Sequence, residues 1–121
     1  MKFNPDPTTG NTISGYGPGW VSVNGQRFHG NVLIGHTLLE PWNCGDFASL
    51  RAENFSPIAS QNPEVLIFGS GERLQFPPAE VLRGLYARRI GVETMDTQAA
   101  CRTYNFLLGE GRRVIAALLI A

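Results

Sequence analysis

Apolar residues follow two rhythms along this chain. Short β-branched blocks separated by Gly, Pro and Asn dominate the first half, and two stretches with apolar positions three and four apart appear in the second. In "WVSVNGQRF", Asn24-Gly25 tolerates the positive φ angles of a two-residue type I′ turn, which predicts a hairpin. Its expected register pairs Val23 with Gln26 and Val21 with Phe28, leaving Trp20/His29 and Ser22/Arg27 on the other face. Asn31 to Trp42 reads as a strand or bent strand, with Gly35 at a bulge or bend and Pro41 ending the pairing. A loop is expected from Asn43 to Asp46. A short helix is expected from about Ala52 to Ser60, where Pro57 is tolerated only in the first turns.

From Pro63 the pattern changes. "EVLIF" is apolar without alternation, as in a strand covered on both faces. Pro77-Pro78 suits the start of a helix in which Val81, Leu82, Leu85 and Tyr86 share the core side; Arg88 and Arg89 complement its last turn and Gly91 supplies a left-handed cap. Gly84 inside that helix costs about 1 kcal/mol relative to alanine, which predicts a close packing contact there. "VETM" is the next strand. Asp96 or Thr97 caps a helix over "TQAACRTYNFLL", which is closed by Gly109 or Gly111. Ala100, Tyr104, Leu107 and Leu108 form its buried stripe, and Gln98, Arg102 and Asn105 a polar one. Arg113 to Ile120 supplies the last strand. The fold class is therefore α/β: hairpin strands first, then a C-terminal βαβαβ unit with crossovers long enough to be parallel. Residues 1–10, punctuated by Pro5, Pro7 and Gly10, are expected to be a flexible segment ahead of one α/β domain over 11–121.

Composition removes several function classes. Ten basic and ten acidic residues cancel, and no like-charge run exceeds a pair, so no electrostatic footprint for nucleic acid or an anionic membrane exists. The longest apolar run, "VIAALLIA", falls far short of the ~20 residues a membrane helix needs. No signal or transit pattern precedes the domain, and a cytoplasmic location is expected. Cys44 and Cys101 lack any zinc-type spacing, so no metal is expected and both thiols should be free, with Cys101 a small buried apolar residue.

Parallel strands at 65–68 and 91–94 would bring their carboxyl ends to one rim, where open α/β sheets usually hold ligands. That places Gly69-Ser70-Gly71 near Met95-Asp96-Thr97. Gly69, Ser70, Gly71, Asp96 and Thr97, with Arg102 and Asn105 beyond them, are the candidate ligand-binding residues. The alternative is that Gly-Ser-Gly is only a sharp corner: the third glycine of a dinucleotide fingerprint is missing, "ERLQF" separates the turn from the helix, and Lys2 is the only lysine. Ser70 lacks a nucleophile elbow, and Asp96 reads first as a helix cap. Glu72-Arg73 reads as a solvated ion pair, and His29 and His36 as structural residues. No catalytic residue and no cofactor are assigned.

"PEVLIFGSGERLQFPP", "RRIGVETMDTQAACRTYNFLLGEGRRVIAALL" and, more weakly, "GWVSVNG" resemble a conserved family of unknown function. Its members include a mitochondrial respiratory complex I assembly factor and the mammalian adipogenesis-associated protein. The resemblance covers about Asn11 to Ala121 and is most specific from Gly91 to Leu119; Ser70 stands where many relatives carry threonine. It implies a hairpin-bearing N-terminal portion packed on a mixed sheet, in layers, and no established catalytic activity. The function expected is that of a non-catalytic interaction protein whose partners are other proteins, by family analogy an assembly intermediate of a respiratory complex. Neither nucleic acid nor a membrane span is expected, and a homo-oligomer stays open. The competing expectation is a small-molecule or anion-binding protein or enzyme using the rim.

Overall fold

The computed structural model describes residues 10–120; the expected flexible segment, apart from Gly10, lies outside the described residues. Strands β1 (Ile13–Gly17), β2 (Trp20–Val23) and β3 (Gln26–Phe28) form a three-stranded antiparallel sheet in that order. Val21 pairs with Phe28, Ser22 with Arg27 and Val23 with Gln26, the register read from the sequence. Asn24 and Gly25 take φ of 51° and 86°, as a type I′ turn demands.

The second sheet is mixed and five-stranded. Its strands are β4 (Val32–Gly35), β5 (Leu39–Pro41), β6 (Val65–Gly69), β7 (Gly91–Met95) and β8 (Val114–Leu118), ordered β5-β4-β8-β6-β7. β6 runs parallel to both β7 and β8, while β4 is antiparallel to β8 and β5. The expected bent strand over Asn31–Trp42 is thus a tight hairpin: the chain reverses after Gly35, whose N–H donates to the Leu38 carbonyl at 2.8 Å.

Side chains of the central strands alternate between two cores. Val32, Ile34, Val65, Ile67, Val114, Ala116 and Leu118 meet the helix α3 (Thr97–Gly109) through Ala100, Cys101, Tyr104 and Leu108, and meet the small sheet through Ile13, Val21 and Val23. On the other face Leu33, Leu66, Phe68, Ile115 and Ala117 pack with Leu82 and Leu85 of α2 (Ala79–Ala87), with Ile58 of α1 (Ser56–Gln61), and with Trp42 and Phe55. Trp42 stands edge-on to Phe55 (5.4 Å) and Phe68 (6.1 Å), and its indole N–H donates to the Asn54 carbonyl. The result is helix plus small sheet, then large sheet, then helices. No helix among the described residues is long and apolar enough to cross a membrane.

Several local expectations are corrected. The helix foreseen over 52–60 is a 3-10 turn, Ala52–Phe55, followed by α1, which places Pro57 in a first turn where its missing N–H costs nothing. Tyr86 is exposed rather than core, because α2 touches its neighbours along the narrow line of Leu82 and Leu85. The left-handed residue after α2 is Arg89 (φ 58°), and Gly91 instead opens β7. Among the described residues a Cβ on Gly84 would meet nothing within 4 Å, so no close contact there explains that glycine. Among the described residues Glu72 and Arg73 form no ion pair, and the pair within reach is Arg112 with Glu64, at 3.5 Å.

Candidate functional site

The parallel pairing of β6 with β7 and β8 sets Gly69 beside both Met95 and Leu118, so all three carboxyl ends share one rim. The Gly69-Ser70-Gly71 turn and the Met95-Asp96-Thr97 start of α3 do meet there, and main-chain bonds join them. Ser70 N–H donates to the Met95 carbonyl (2.8 Å) and Thr97 N–H to the Gly71 carbonyl (2.9 Å).

The polar groups of the rim bond chiefly to one another. Gly71 N–H donates to Thr97 Oγ1 (2.9 Å), and that hydroxyl donates onward to the Leu119 carbonyl (2.7 Å). One threonine thereby links the turn, α3 and the end of β8. Ser70, the one polar side chain buried among the described residues (1 % exposed), donates to the Arg73 carbonyl (2.8 Å) and accepts the Gln75 N–H (3.0 Å); the Met95 carbonyl lies 3.2 Å from the same oxygen. Asp96 accepts from Ala99 N–H (3.0 Å) as the N-cap of α3. Gly69 is required by proximity: a Cβ there would lie 2.9 Å from Leu118 Cδ2 and 3.1 Å from the Thr97 Cα. Gly71 is required by conformation, with φ at 107°. The N–H groups of Ser70 and Gly71 both have partners within the fold, so they do not form an anion nest.

Arg102 and Asn105 lie further along α3 and face β1. Arg102 donates to the Tyr16 hydroxyl (3.0 Å), a bond that pushes its guanidinium further into the charged form. Asn105 brackets Ile13, accepting its N–H (2.9 Å) and donating to its carbonyl (2.7 Å). These two residues dock the small sheet on the helix and are not brought to the rim's turn.

The open space at the rim is a cleft of about 430 Å³ between the β1–β2 turn, with Tyr16 and Trp20, and Gly71, Asp96, Thr97 and Gln98. The sequence does not announce the walls from residues 16–20, because "ISGYG" carries two glycines and too few apolar positions to mark β1. Glu72 and Asp96 line the cleft, while Arg27 stacks on Trp20 at 3.8 Å and Arg102 bonds Tyr16, so both signs of charge stand at its walls. A second cleft, about 360 Å³, lies against the same turn and is lined by Asn31, Asp46, Ser70, Arg73 and Gln75.

Beyond the turn, residues 72–78 cross the surface with two large apolar side chains in solvent, Leu74 (52 % exposed) and Phe76 (68 %). Elsewhere, Cys101 is fully buried, and burial pushes its thiol up to about 12. Burial likewise raises the Cys44 thiol and the Tyr104 hydroxyl, the latter donating to the Asn11 carbonyl. Among the described residues no group of three His, Cys, Asp or Glu is placed to hold a metal ion.

These features define a small three-layer α/β domain with a closed-bonded rim. The chain belongs to the family described as "Protein of unknown function (DUF498/DUF598)", whose pattern matches residues 13–119. It is similar to the zebrafish protein named NADH dehydrogenase [ubiquinone] 1 alpha subcomplex assembly factor 3, at 35 % identity over 94 % of this chain. The human protein of the same name is 34 % identical over 88 % of this chain. The chain spans 67 % and 59 % of the lengths of those two relatives. A crystal structure of a Bordetella parapertussis protein superposes with a TM-score of 0.88 at 40 % identity, covering 94 % of this chain and 98 % of that one.

Proposed function

We propose that this protein is a non-catalytic interaction protein, located in the cytoplasm, that assists assembly of a respiratory NADH dehydrogenase complex by binding another polypeptide. The observation that carries this reading is the pairing of an internally bonded rim with Leu74 and Phe76 held out in water directly after it. Large apolar side chains kept exposed on an anchored loop cost solvation in the free protein and gain it back on association. The names of the similar animal proteins supply the kind of complex. The test is complementation of a strain lacking the protein with Leu74→Glu/Phe76→Glu. The double variant should fold with an unchanged melting temperature yet leave assembled NADH dehydrogenase at the level of the deletion strain. Full restoration by a folded double variant would refute the proposal.

A second reading has one observation in its favour, the 430 Å³ cleft. It would hold a small molecule between Trp20 and Asp96. A guest at a hundred times its dissociation constant adds about 2.7 kcal/mol, a rise of roughly 10 °C in melting temperature. A metabolite panel producing such a rise, abolished by Asp96→Asn, would replace the first reading with this one.

A further inference from the structure

We infer that the outer edge of β7 is a docking site for an extended segment of another polypeptide, which adds to the large sheet as a sixth strand and carries a lysine or arginine opposite Glu93. This deepens the proposed interaction role and rests on it.

The main-chain geometry fixes which groups are free. Gly91 N–H donates to the Glu64 carbonyl (3.1 Å), and the Met95 carbonyl accepts from Ser70 N–H (2.8 Å). In a parallel pair, alternate residues of a strand bond to one neighbour. Gly91, Glu93 and Met95 therefore point their main chain at β6, whereas Val92 and Thr94 point N–H and carbonyl outward, and among the described residues no strand lies beyond β7.

The other sheet edges are guarded, as exposed edges in proteins usually are. Asn105 occupies both outward groups of Ile13 on β1. β3 and β5 are three residues long, and β5 ends in Pro41. β7 has five residues with no proline, lysine or register shift.

Glu93 identifies the partner's chemistry. It is exposed, makes no ion pair among the described residues, and pairs with Ile67, so it belongs to the α3 face of the sheet. A cationic side chain on an added strand would meet it directly. A second copy of this chain pairing antiparallel about Glu93 would set two carboxylates face to face, a destabilising cross-strand contact. Glu93 thus disfavours that self-association and favours a basic foreign strand.

The experiment uses the full chain with ¹⁵N label and two synthetic peptides of alternating Val and Thr that differ in a central Lys or Glu. With the Lys peptide, amide exchange at Val92 and Thr94 should slow about tenfold, with little change for the Glu peptide. Thr94→Pro should abolish the effect while keeping the melting temperature, since that N–H makes no bond to β6 and proline is tolerated at an outward edge position. Exchange at Val92 and Thr94 that is already slow in dilute free protein, equal response to both peptides, or no response to either would overturn the inference. So would protection that rises with protein concentration alone, the mark of self-pairing. In cells, Thr94→Pro that restores respiratory complex assembly like wild type would sink the edge site and leave the interaction role standing. A deletion strain with normal complex assembly would instead remove the role itself.

Discussion

Ser70→Ala removes a single oxygen and tests whether the Gly-Ser-Gly turn is held by its own bonds. The hydroxyl is 1 % exposed, accepts the Gln75 N–H at 3.0 Å and donates to the Arg73 carbonyl at 2.8 Å. Alanine leaves both main-chain groups without a partner, and each orphan costs about 1–3 kcal/mol when it stays dry. Gln75 is only half-buried, so water reaches part of the gap and the expected total falls at the low end, about 2 kcal/mol. For a domain of this size, that corresponds to a loss of roughly 8 °C in melting temperature. The assay is thermal unfolding by circular dichroism together with amide exchange, in which the Gln75 amide should exchange far faster in the variant. A melting temperature within about 2 °C of wild type, with Gln75 exchange unchanged, would refute the idea that this hydroxyl closes the corner.

Gly69→Ala forces a Cβ to 2.9 Å from Leu118 and 3.1 Å from the Thr97 main chain, and should cost about 1–3 kcal/mol in chemical denaturation; a neutral result would mean α3 moves freely against β6. Asn105→Leu strips both bonds from Ile13 and should release β1 first, seen as fast exchange at Ile13 while the β6 amides stay slow. Cys101 ionises near 9.0 when unfolded and about 12 when folded, so its contribution to stability is intact below pH 9 and is lost as pH rises from 9 towards 12. Wild type should therefore lose melting temperature across that range more steeply than Cys101→Ala, and iodoacetamide should label Cys101 only after denaturation.

Much of this architecture was legible because local rules and packing agreed. Asn24-Gly25 could make only one kind of turn between those β-branched residues, so the hairpin register followed from the pattern alone. "EVLIF" and "VIAALLIA" lack alternation because both faces of β6 and β8 are covered, and the long crossovers between the C-terminal strands point to parallel pairing and hence to the rim. Failures came where tertiary partners decide. β1 has little apolar content of its own; Asn105 and the β2 ladder hold it, and neither is visible in a local window. Tyr86 satisfies helical periodicity, yet α2 contacts the sheet along a line too narrow to reach it. Helix position groups Arg102 and Asn105 with the rim, while their bonds go to Tyr16 and Ile13 on a sheet whose docking the sequence does not announce. The pattern brings Gly69-Ser70-Gly71 and Met95-Asp96-Thr97 to one rim; that their bonds close on one another is visible only with Thr97 and Ser70 placed together.

The claim that residues 72–78 present a protein-binding surface is tested most directly by photo-crosslinking inside the cell. A photoreactive amino acid replaces Phe76, with exposed Glu40 on β5 replaced as the control. Position 76 should yield a discrete adduct with a subunit or assembly protein of the respiratory NADH dehydrogenase, absent from position 40. Equal labelling at both positions, or none at 76 in cells that assemble the complex normally, would contradict the account.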